Sequence, residues 1–404
     1  MYPGALGGVR VVEWSNLITG PFCGKVLGEL GADVIKVEPP ALGDDSRRRG
    51  PFPGHIPDPE RSGLFLFANL NKRGLTLDPG TASGRGILGR LLESADVFVV
   101  NQPPELVRDL GLDHETLKEK YPRLIVTAIT PYGCSGPYRD YAGNDLTVNA
   151  LGGLSFGNGH PDREPLANPL YQASYMAAVG AAYATVVALL GRDTTGRGQL
   201  VDVSEAQVSA VLLSGYNLPT YIYKGVAGWR SGNRMRLGLF PNCILPCKDG
   251  YACIDAPQME QYQRFIDLLD DREWVNDPRY RKRRAMSDQY PEEAEALIAP
   301  WFTQRTKAEI LRVCLENRIP CVPVLTFDEV LAEPQLNARN YFQDIEHPTV
   351  GTLRYPGAPY RLSGTPCRVV RPAPVLGQHN VEILCGELGL EPSGLPEMAR
   401  AGVI

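Results

Sequence analysis

The sequence lacks an excess of positive charge. Its 404 residues include 41 Lys and Arg against 46 Asp and Glu, which gives a formal net charge of -5. Proteins whose main partner is nucleic acid usually carry a basic surface, so this balance argues against that function class. Hydrophobic residues make up 43% of the chain and charged residues 22%, a composition typical of globular proteins with a substantial buried core.

The sequence also lacks a metal-binding pattern. The five histidines show no ligand spacing, and Cys243 and Cys247 form a CxxxC without a second pair or a nearby His. The nine cysteines are odd in number and scattered, which favours free thiols in a reducing cytoplasm. We therefore expect no metal ion and a cytoplasmic location.

Signals for export or membrane insertion are weak. The first residues show no charged start followed by an apolar stretch, so we expect no signal peptide. Residues 165–191 carry no charge and are long enough to span a bilayer. Because the stretch is built largely from Ala, Gly, Ser and Tyr, we expect a buried helix instead.

Two nucleotide-binding loops and a nucleophile elbow are missing as well. The first predicted strand is followed by residues 16–21, NLITGP, which do not match GxGxxG, and residues 20–26 do not match a Walker A loop. The segment 153–157 matches GxSxG, but a loop follows it where a helix is required. We therefore expect neither nicotinamide dinucleotide binding nor a serine hydrolase centred on Ser155.

What the sequence does contain is a regular alternation of strand-like and helix-like runs. The predicted strands are 9–14, 33–38, 96–101, 123–130 and 199–203, and the predicted helices are 21–30, 82–95, 104–120, 171–191 and 204–215. This order predicts an α/β fold with a parallel, doubly wound sheet. The ligand crevice of such a sheet lies beyond the carboxyl ends of the strands, which places 15–20, 101–104 and 130–136 around a site.

The alternation of strand-like and helix-like runs ends near residue 225, where a segment rich in Gly and Arg begins. We expect residues 1–220 to form the N-terminal part of a large Rossmann-like domain and 225–330 to form a smaller α+β domain. Residues 331–404 should return to the large domain, ending in a helical segment at 379–404. Within the smaller domain, 243–255 predict a strand pair with a turn at 248–250.

Several sequence blocks resemble the family III CoA-transferases, which include formyl-CoA transferase, carnitine CoA-transferase and alpha-methylacyl-CoA racemase. The blocks are GVRVVEWSNLITGPFCGKVLGELGADVIKVEPP at 8–40, NLNKRGLTLD at 69–78, YPRLIVTAITPYGCSGPYRD at 121–140 and TGRGQLVDVS at 195–204. The resemblance implies a Rossmann-like large domain, a smaller domain and a dimer of two interlocked chains. It also implies covalent catalysis, in which an Asp attacks an acyl-CoA, becomes an enzyme-CoA thioester and passes CoA to an acceptor acid.

The sequence departs from the family pattern at the nucleophile. When the chain is aligned without gaps from the TGRGQ block, Ser174 stands where the family has Asp. A hydroxyl can be acylated, but it cannot carry CoA as a thioester of its own side chain. We therefore expect no catalytic residue on this chain and a structural role for Ser174 in the first turn of a helix. Asp162 and Glu164 remain as alternative carboxylates.

The resemblance also implies where CoA would be bound, and here the match is partial. The implied contact residues are Asn16, Leu17, Ile18, Leu77, Asp78, Asn101 and Gln102. The family's Lys after Leu-Asp-Leu is replaced by Gly80, and Asp109 stands where some members have Arg. Asn144 replaces the His that precedes Asp145 in the racemases, which makes racemisation unfavourable. No cofactor beyond CoA itself is expected.

Together these losses suggest the non-nucleophilic subunit of a heteromeric enzyme. The chain resembles the Asp-lacking subunit of succinyl-CoA:benzylsuccinate CoA-transferase from anaerobic toluene degradation. The expected partners are an Asp-bearing paralogous subunit, an acyl-CoA and a dicarboxylate, with no nucleic acid and no membrane. The candidate substrate-loop residues are Arg230, Asn233, Arg234 and Arg236, because bidentate arginine suits carboxylates. Two alternatives stay open: an active transferase or isomerase that uses another carboxylate, and a CoA-binding regulatory module without turnover.

Overall fold

The computed structural model describes residues 4–212, 217–226, 230–235 and 238–404. The chain divides into two compact units. The first contains Met1–Ser155, Ala167–Tyr216 and Leu336–Ile404, and the second contains Phe156–Leu166 and Asn217–Gln335. The domain boundaries proposed from the sequence, 1–220, 225–330 and 331–404, and the interlocked dimer stay predictions.

The first unit is built on a six-stranded parallel sheet, as expected from the alternating sequence pattern. Its strands are β1 (Arg10–Trp14), β2 (Asp33–Glu38), β3 (Lys72–Thr76), β4 (Val97–Val100), β5 (Ile125–Thr130) and β6 (Leu200–Ser204), in the spatial order β3-β2-β1-β4-β5-β6. β4 and β5 are buried at every position, which is typical of parallel strands covered on both faces. The α/β fold class is confirmed.

Helices cover both faces of this sheet, and others pack in the second unit. In chain order they are α1 (Thr19–Glu29), α2 (Gly63–Ala68), α3 (Ala82–Glu93), α4 (Pro104–Asp109), α5 (His114–Lys120), α6 (Asp145–Leu151), α7 (Leu154–Gly157), α8 (Gln172–Thr195), α9 (Glu205–Leu212), α10 (Asn217–Lys224), α11 (Met259–Asp267), α12 (Arg283–Asp288), α13 (Pro291–Thr303), α14 (Lys307–Glu316), α15 (Phe327–Ala332), α16 (Pro334–Ala338) and α17 (Leu395–Arg400). A π-helix, Glu382–Glu387, precedes α17.

The remaining strands form two small antiparallel sheets. In the second unit β7 (Asn242–Cys247), β8 (Gly250–Asp255) and β9 (Cys321–Val324) form a three-stranded sheet, and the turn between β7 and β8 lies at the predicted place. Its buried core includes the ring cluster of Phe265, Trp301 and Phe302. In the first unit β10 (Phe342–His347) and β11 (Gly351–Pro356) pair as a hairpin.

Two expectations about local structure need correction. The helix predicted over 104–120 is two helices, because Gly111 adopts a left-handed φ of 66° and Asp113 caps α5 by accepting a hydrogen bond from the Thr116 amide. The strand β3 was not predicted, since Lys72, Arg73 and Gly74 do not form an apolar run. The side chains of Lys72 and Arg73 are nevertheless buried, because Glu13 neutralises the first and Asp33 the second.

The long uncharged segment is α8, and it packs against β5, β6 and α1. By length and composition it could cross a membrane, but half of its most apolar window is buried inside the structure. A row of alanines, including Ala177, Ala178 and Ala181, lets it approach the sheet closely. The expectation of a core helix therefore fits this packing better than a membrane span, and its first turn faces the candidate site.

Candidate active site

The loops that follow β1 and β4 meet where the strand order reverses. Asn101, directly after β4, accepts a hydrogen bond from the Asn16 amide at 2.7 Å and donates to the Asn16 carbonyl at 2.8 Å and to Thr19 Oγ1 at 2.9 Å. The Asn16 side chain donates to Asp45 Oδ2 at 2.6 Å and accepts from the Asp45 amide at 2.8 Å. Both asparagines therefore fix the loop, which leaves backbone and apolar atoms, including Leu17, to line the crevice.

A buried charge network supports this loop from below. Glu13, on β1, forms ion pairs with Lys36 Nζ at 3.1 Å and with Lys72 Nζ at 2.7 Å. Lys36 also pairs with Asp44 at 2.8 Å and donates to the Ser15 carbonyl at 3.0 Å. All four charged side chains are buried. Two cations and two carboxylates thus neutralise one another directly beneath the residues that follow β1.

The network also explains the strained conformation of Leu17. This residue has a φ of 63°, a left-handed conformation that costs a non-glycine residue about 1–2 kcal/mol. Its amide donates to Asp44 Oδ1 at 3.0 Å. Although burial raises the pKa of Asp44, the ammonium group of Lys36 outweighs it and holds that pKa below its ordinary value. For Lys72 burial dominates and lowers the pKa to about 8.

Ser174 lies in the first turn of α8, between two carboxylates. Its hydroxyl is 3.2 Å from Glu205 Oε2 and 3.3 Å from Asp145 Oδ1. Asp145 also accepts the Ser174 amide at 3.0 Å and the Asn149 side chain at 2.8 Å. Three helices bring the groups together, since Asp145 and Glu205 are the first residues of α6 and α9. The resulting chain of polar contacts is Asp145, Ser174, Glu205.

Glu205 has a strongly raised pKa. Burial, and to a smaller extent the charge of Asp145, raise its pKa to about 7, although the hydrogen bond with Ser174 acts in the opposite direction. Glu205 is therefore partly protonated near neutral pH. When protonated it can donate to Ser174 Oγ, which in turn donates to Asp145, so the three groups share two protons.

These groups line a cavity of about 770 Å³ in the first unit. Of the residues expected to contact CoA, Asn16, Leu17, Ile18, Asn101 and Gln102 lie on its wall, together with Ser174, Asp145 and Glu205. Among the described residues that line it, Arg49 is the only Lys or Arg. Among the described residues, no group of three or more His, Cys, Asp or Glu is placed to hold a metal ion.

Leu77 and Asp78 do not reach this cavity. Leu77 is fully buried in the core at the end of β3. Asp78 accepts a hydrogen bond from the Gly80 amide at 2.8 Å, which closes a turn before α3. Their role in CoA binding stays a prediction, and it would have to involve a different part of the ligand from the part that meets Ser174.

The candidate substrate-loop residues are engaged in bonds within the second unit. Arg230 donates to four backbone carbonyls, those of Phe156, His160, Pro161 and Arg163. Arg234 forms ion pairs with Glu292, at 3.0 Å, and with Glu295, and the Asn233 side chain donates to the Ile244 carbonyl at 2.8 Å. Arg236 lies outside the described residues. Dicarboxylate binding by this loop stays a prediction, since these internal bonds would have to be exchanged.

The alternative carboxylates named from the sequence lie elsewhere. Asp162 and Glu164 are exposed residues of the second unit, and neither lines the cavity. Glu205, in contrast, lines the cavity and was not predicted from the sequence. One available signal was its place directly after the predicted strand 199–203, because the rule for parallel sheets locates a ligand site beyond the carboxyl end of every strand.

The chain is similar to known CoA-transferases over almost its whole length. The family model for CoA-transferase family III matches residues 6–380. The succinate–glutarate CoA-transferase of Agrobacterium fabrum is 30% identical, over 97% of this chain and 98% of its own length. The succinyl-CoA–D-citramalate CoA-transferase of Chloroflexus aurantiacus is 32% identical, over 100% of this chain and 98% of its own length.

Two further matches bear on assembly and fold. Subunit BbsE of the succinyl-CoA:(R)-benzylsuccinate CoA-transferase of Thauera aromatica is 32% identical, over 98% of this chain and 97% of its own length. The crystal structure of a CAIB/BAIF family protein from Brucella suis superposes with a TM-score of 0.85 at 30% identity, covering 95% of this chain and 100% of that one.

Proposed function

The chain belongs to CoA-transferase family III, and from that membership we propose that it takes part in moving CoA from succinyl-CoA to a dicarboxylic acid. The names of three relatives support this substrate class, since glutarate, citramalate and benzylsuccinate are all dicarboxylates. CoA is then a substrate, and no further cofactor is required. The scattered free thiols fit action in the cytoplasm.

We further propose that this chain is the non-nucleophilic subunit of a heteromeric enzyme. The observation that carries the proposal is Ser174, which lines the cavity and which the sequence resemblance aligns with the family's nucleophile. The transfer mechanism needs a carboxylate that becomes an anhydride and then a CoA thioester, and a hydroxyl forms neither. The similarity to a protein named as a subunit, BbsE, supports a paralogous partner that carries the Asp.

Co-expression with an Asp-bearing paralogue tests this proposal. We expect the purified complex to convert succinyl-CoA and glutarate into glutaryl-CoA and succinate, and the isolated chain to show no transfer above background. The matched control is a complex in which the paralogue's Asp is replaced by Asn, which should be inactive. Robust transfer by the isolated chain would refute the assignment.

A second candidate function is an active transferase that uses a carboxylate other than the family Asp. The position of Glu205 favours it, because its carboxylate lies 3.2 Å from the side chain that replaces the nucleophile. In this case CoA would become attached to Glu205 of the isolated chain. The covalent adduct therefore separates the two candidates.

A further inference from the structure

Ser174 makes contacts that a helix-capping serine does not need. The N-cap residue of α8 is Tyr171, and its side chain makes no capping hydrogen bond. The Ser174 hydroxyl instead contacts carboxylates 29 and 31 residues away in sequence, on α6 and α9. It also lines the cavity in which, under the proposed function, an acyl-CoA would bind.

We propose that this chain has a second activity, the hydrolysis of acyl-CoA thioesters, in which Ser174 is acylated and Glu205 acts as its general base. A nucleophile within about 2.6–3.2 Å of a base is the arrangement that activates serine, and the Ser174–Glu205 distance of 3.2 Å lies at its upper limit. Asp145 orients the serine through its amide, at 3.0 Å. The activity goes beyond CoA transfer and needs no partner subunit.

The reaction balances with water as the only co-reactant. In the first step the Ser174 proton passes to Glu205, Oγ attacks the thioester carbon, and the C–S bond breaks. The leaving thiolate takes the proton from Glu205, so free CoA and an acyl-serine ester result. In the second step Glu205 accepts a proton from water, the water oxygen attacks the ester, and the C–Oγ bond breaks. Ser174 regains its proton and the carboxylic acid leaves.

The same chemistry explains why acylation of Ser174 leads to hydrolysis and not to CoA transfer. In the family mechanism the enzyme's carboxyl group carries CoA after the acyl group has left. An ester of Ser174 carries only the acyl group and has no carboxyl group to which CoA could be attached. Water is then the reactant that completes the turnover.

The charge state of Glu205 gives the activity a defined pH dependence. A general base acts only when ionised, so the rate should rise as pH increases through the pKa of Glu205, about 7, and level off above it. Within the part of the chain that the structure describes, the charge that acts on Glu205 is that of Asp145 on α6, and Arg49 lines the same cavity. Because Asp145 is a second acceptor of the serine proton, Glu205→Gln should retain a small rate.

The test measures free thiol released from succinyl-CoA by the purified chain, without any acceptor acid, between pH 5 and 9. We expect Ser174→Ala to reduce the rate to background, and Glu205→Gln to lower it by about 100-fold or more and to remove the rise near pH 7. The matched control is Glu119→Gln, an exposed carboxylate on α5 away from the cavity, which should leave the rate unchanged.

A mass measurement on the unsubstituted chain keeps the proposal testable if a variant fails to fold. Rapid quenching with succinyl-CoA should show an added succinyl group on the peptide that contains Ser174. Equal hydrolysis by the Ser174→Ala chain would overturn the proposal, and so would CoA attached to Glu205. Neither result bears on transfer by the complex with an Asp-bearing paralogue, so the two proposals fail independently.

Discussion

The double substitution Ser174→Asp with Glu205→Gln should give the isolated chain a CoA-transferase activity. The introduced carboxylate can form the anhydride and carry CoA, which the serine cannot. Glu205 Oε2 lies 3.2 Å from Ser174 Oγ, so its negative charge would lie close to the new carboxylate and repel it. Replacing Glu205 by Gln removes that charge. Loss of a nucleophile can lower kcat by a factor of about 10⁶. If the double variant reached about 10⁻⁴ of the kcat of an enzyme with the family Asp, its rate would exceed that of the unsubstituted chain by about 100-fold.

The measurement is the rate of glutaryl-CoA formation from succinyl-CoA and glutarate. Ser174→Asn with Glu205→Gln is the matched control, because it has nearly the same shape but no carboxylate, and it should show no gain. If the double variant folds and binds CoA but neither transfers CoA nor acquires a covalent adduct, the role given to position 174 is wrong.

Replacing Glu13 by Ala should lower the free energy of unfolding by about 3–5 kcal/mol. Glu13 is fully buried and is paired with both Lys36 and Lys72. Its removal leaves two ammonium groups in the core, and among the described residues Asp44 is then the remaining carboxylate in a direct ion pair with either of them. The lowered pKa of Lys72, about 8, shows that burial already disfavours its charge even with Glu13 present.

Urea denaturation measures this effect, and an exposed ion pair provides the comparison. Asp344 and Arg354 pair at 2.8 Å on the hairpin β10–β11, where both side chains are about half exposed, so Asp344→Ala should cost less than about 1 kcal/mol. A similarly small loss for Glu13→Ala would show that the buried network does not stabilise the loop after β1.

The sheet could be predicted largely from sequence because most of its strands are apolar. β2, β4 and β5 carry runs of Val and Ile that are buried between two layers of helices. β3 could not be recognised in this way, since the residue that makes Lys72 compatible with the core is Glu13, 59 positions earlier in the chain. Sequence periodicity does not report such long-range charge pairs.

The sequence predicted which loops border the candidate site but not the side-chain contacts of Ser174. The loops after β1 and β4 follow from the strand order of a doubly wound sheet, and they meet through Asn16 and Asn101 as expected. The Ser174 contacts depend on how α6, α8 and α9 pack. An isolated glutamate at the start of a helix, such as Glu205, is common for reasons of helix stability alone, so its approach to Ser174 emerges only in three dimensions.

The most direct test of the proposed subunit role is to find which chain carries CoA. The complex with the Asp-bearing paralogue is incubated with succinyl-CoA, and the intact mass of each chain is measured. Borohydride reduction then marks the carboxyl group that held the thioester. We expect CoA on the paralogue's Asp and none on this chain. CoA attached to this chain, with Glu205 as the reduced residue, would contradict it.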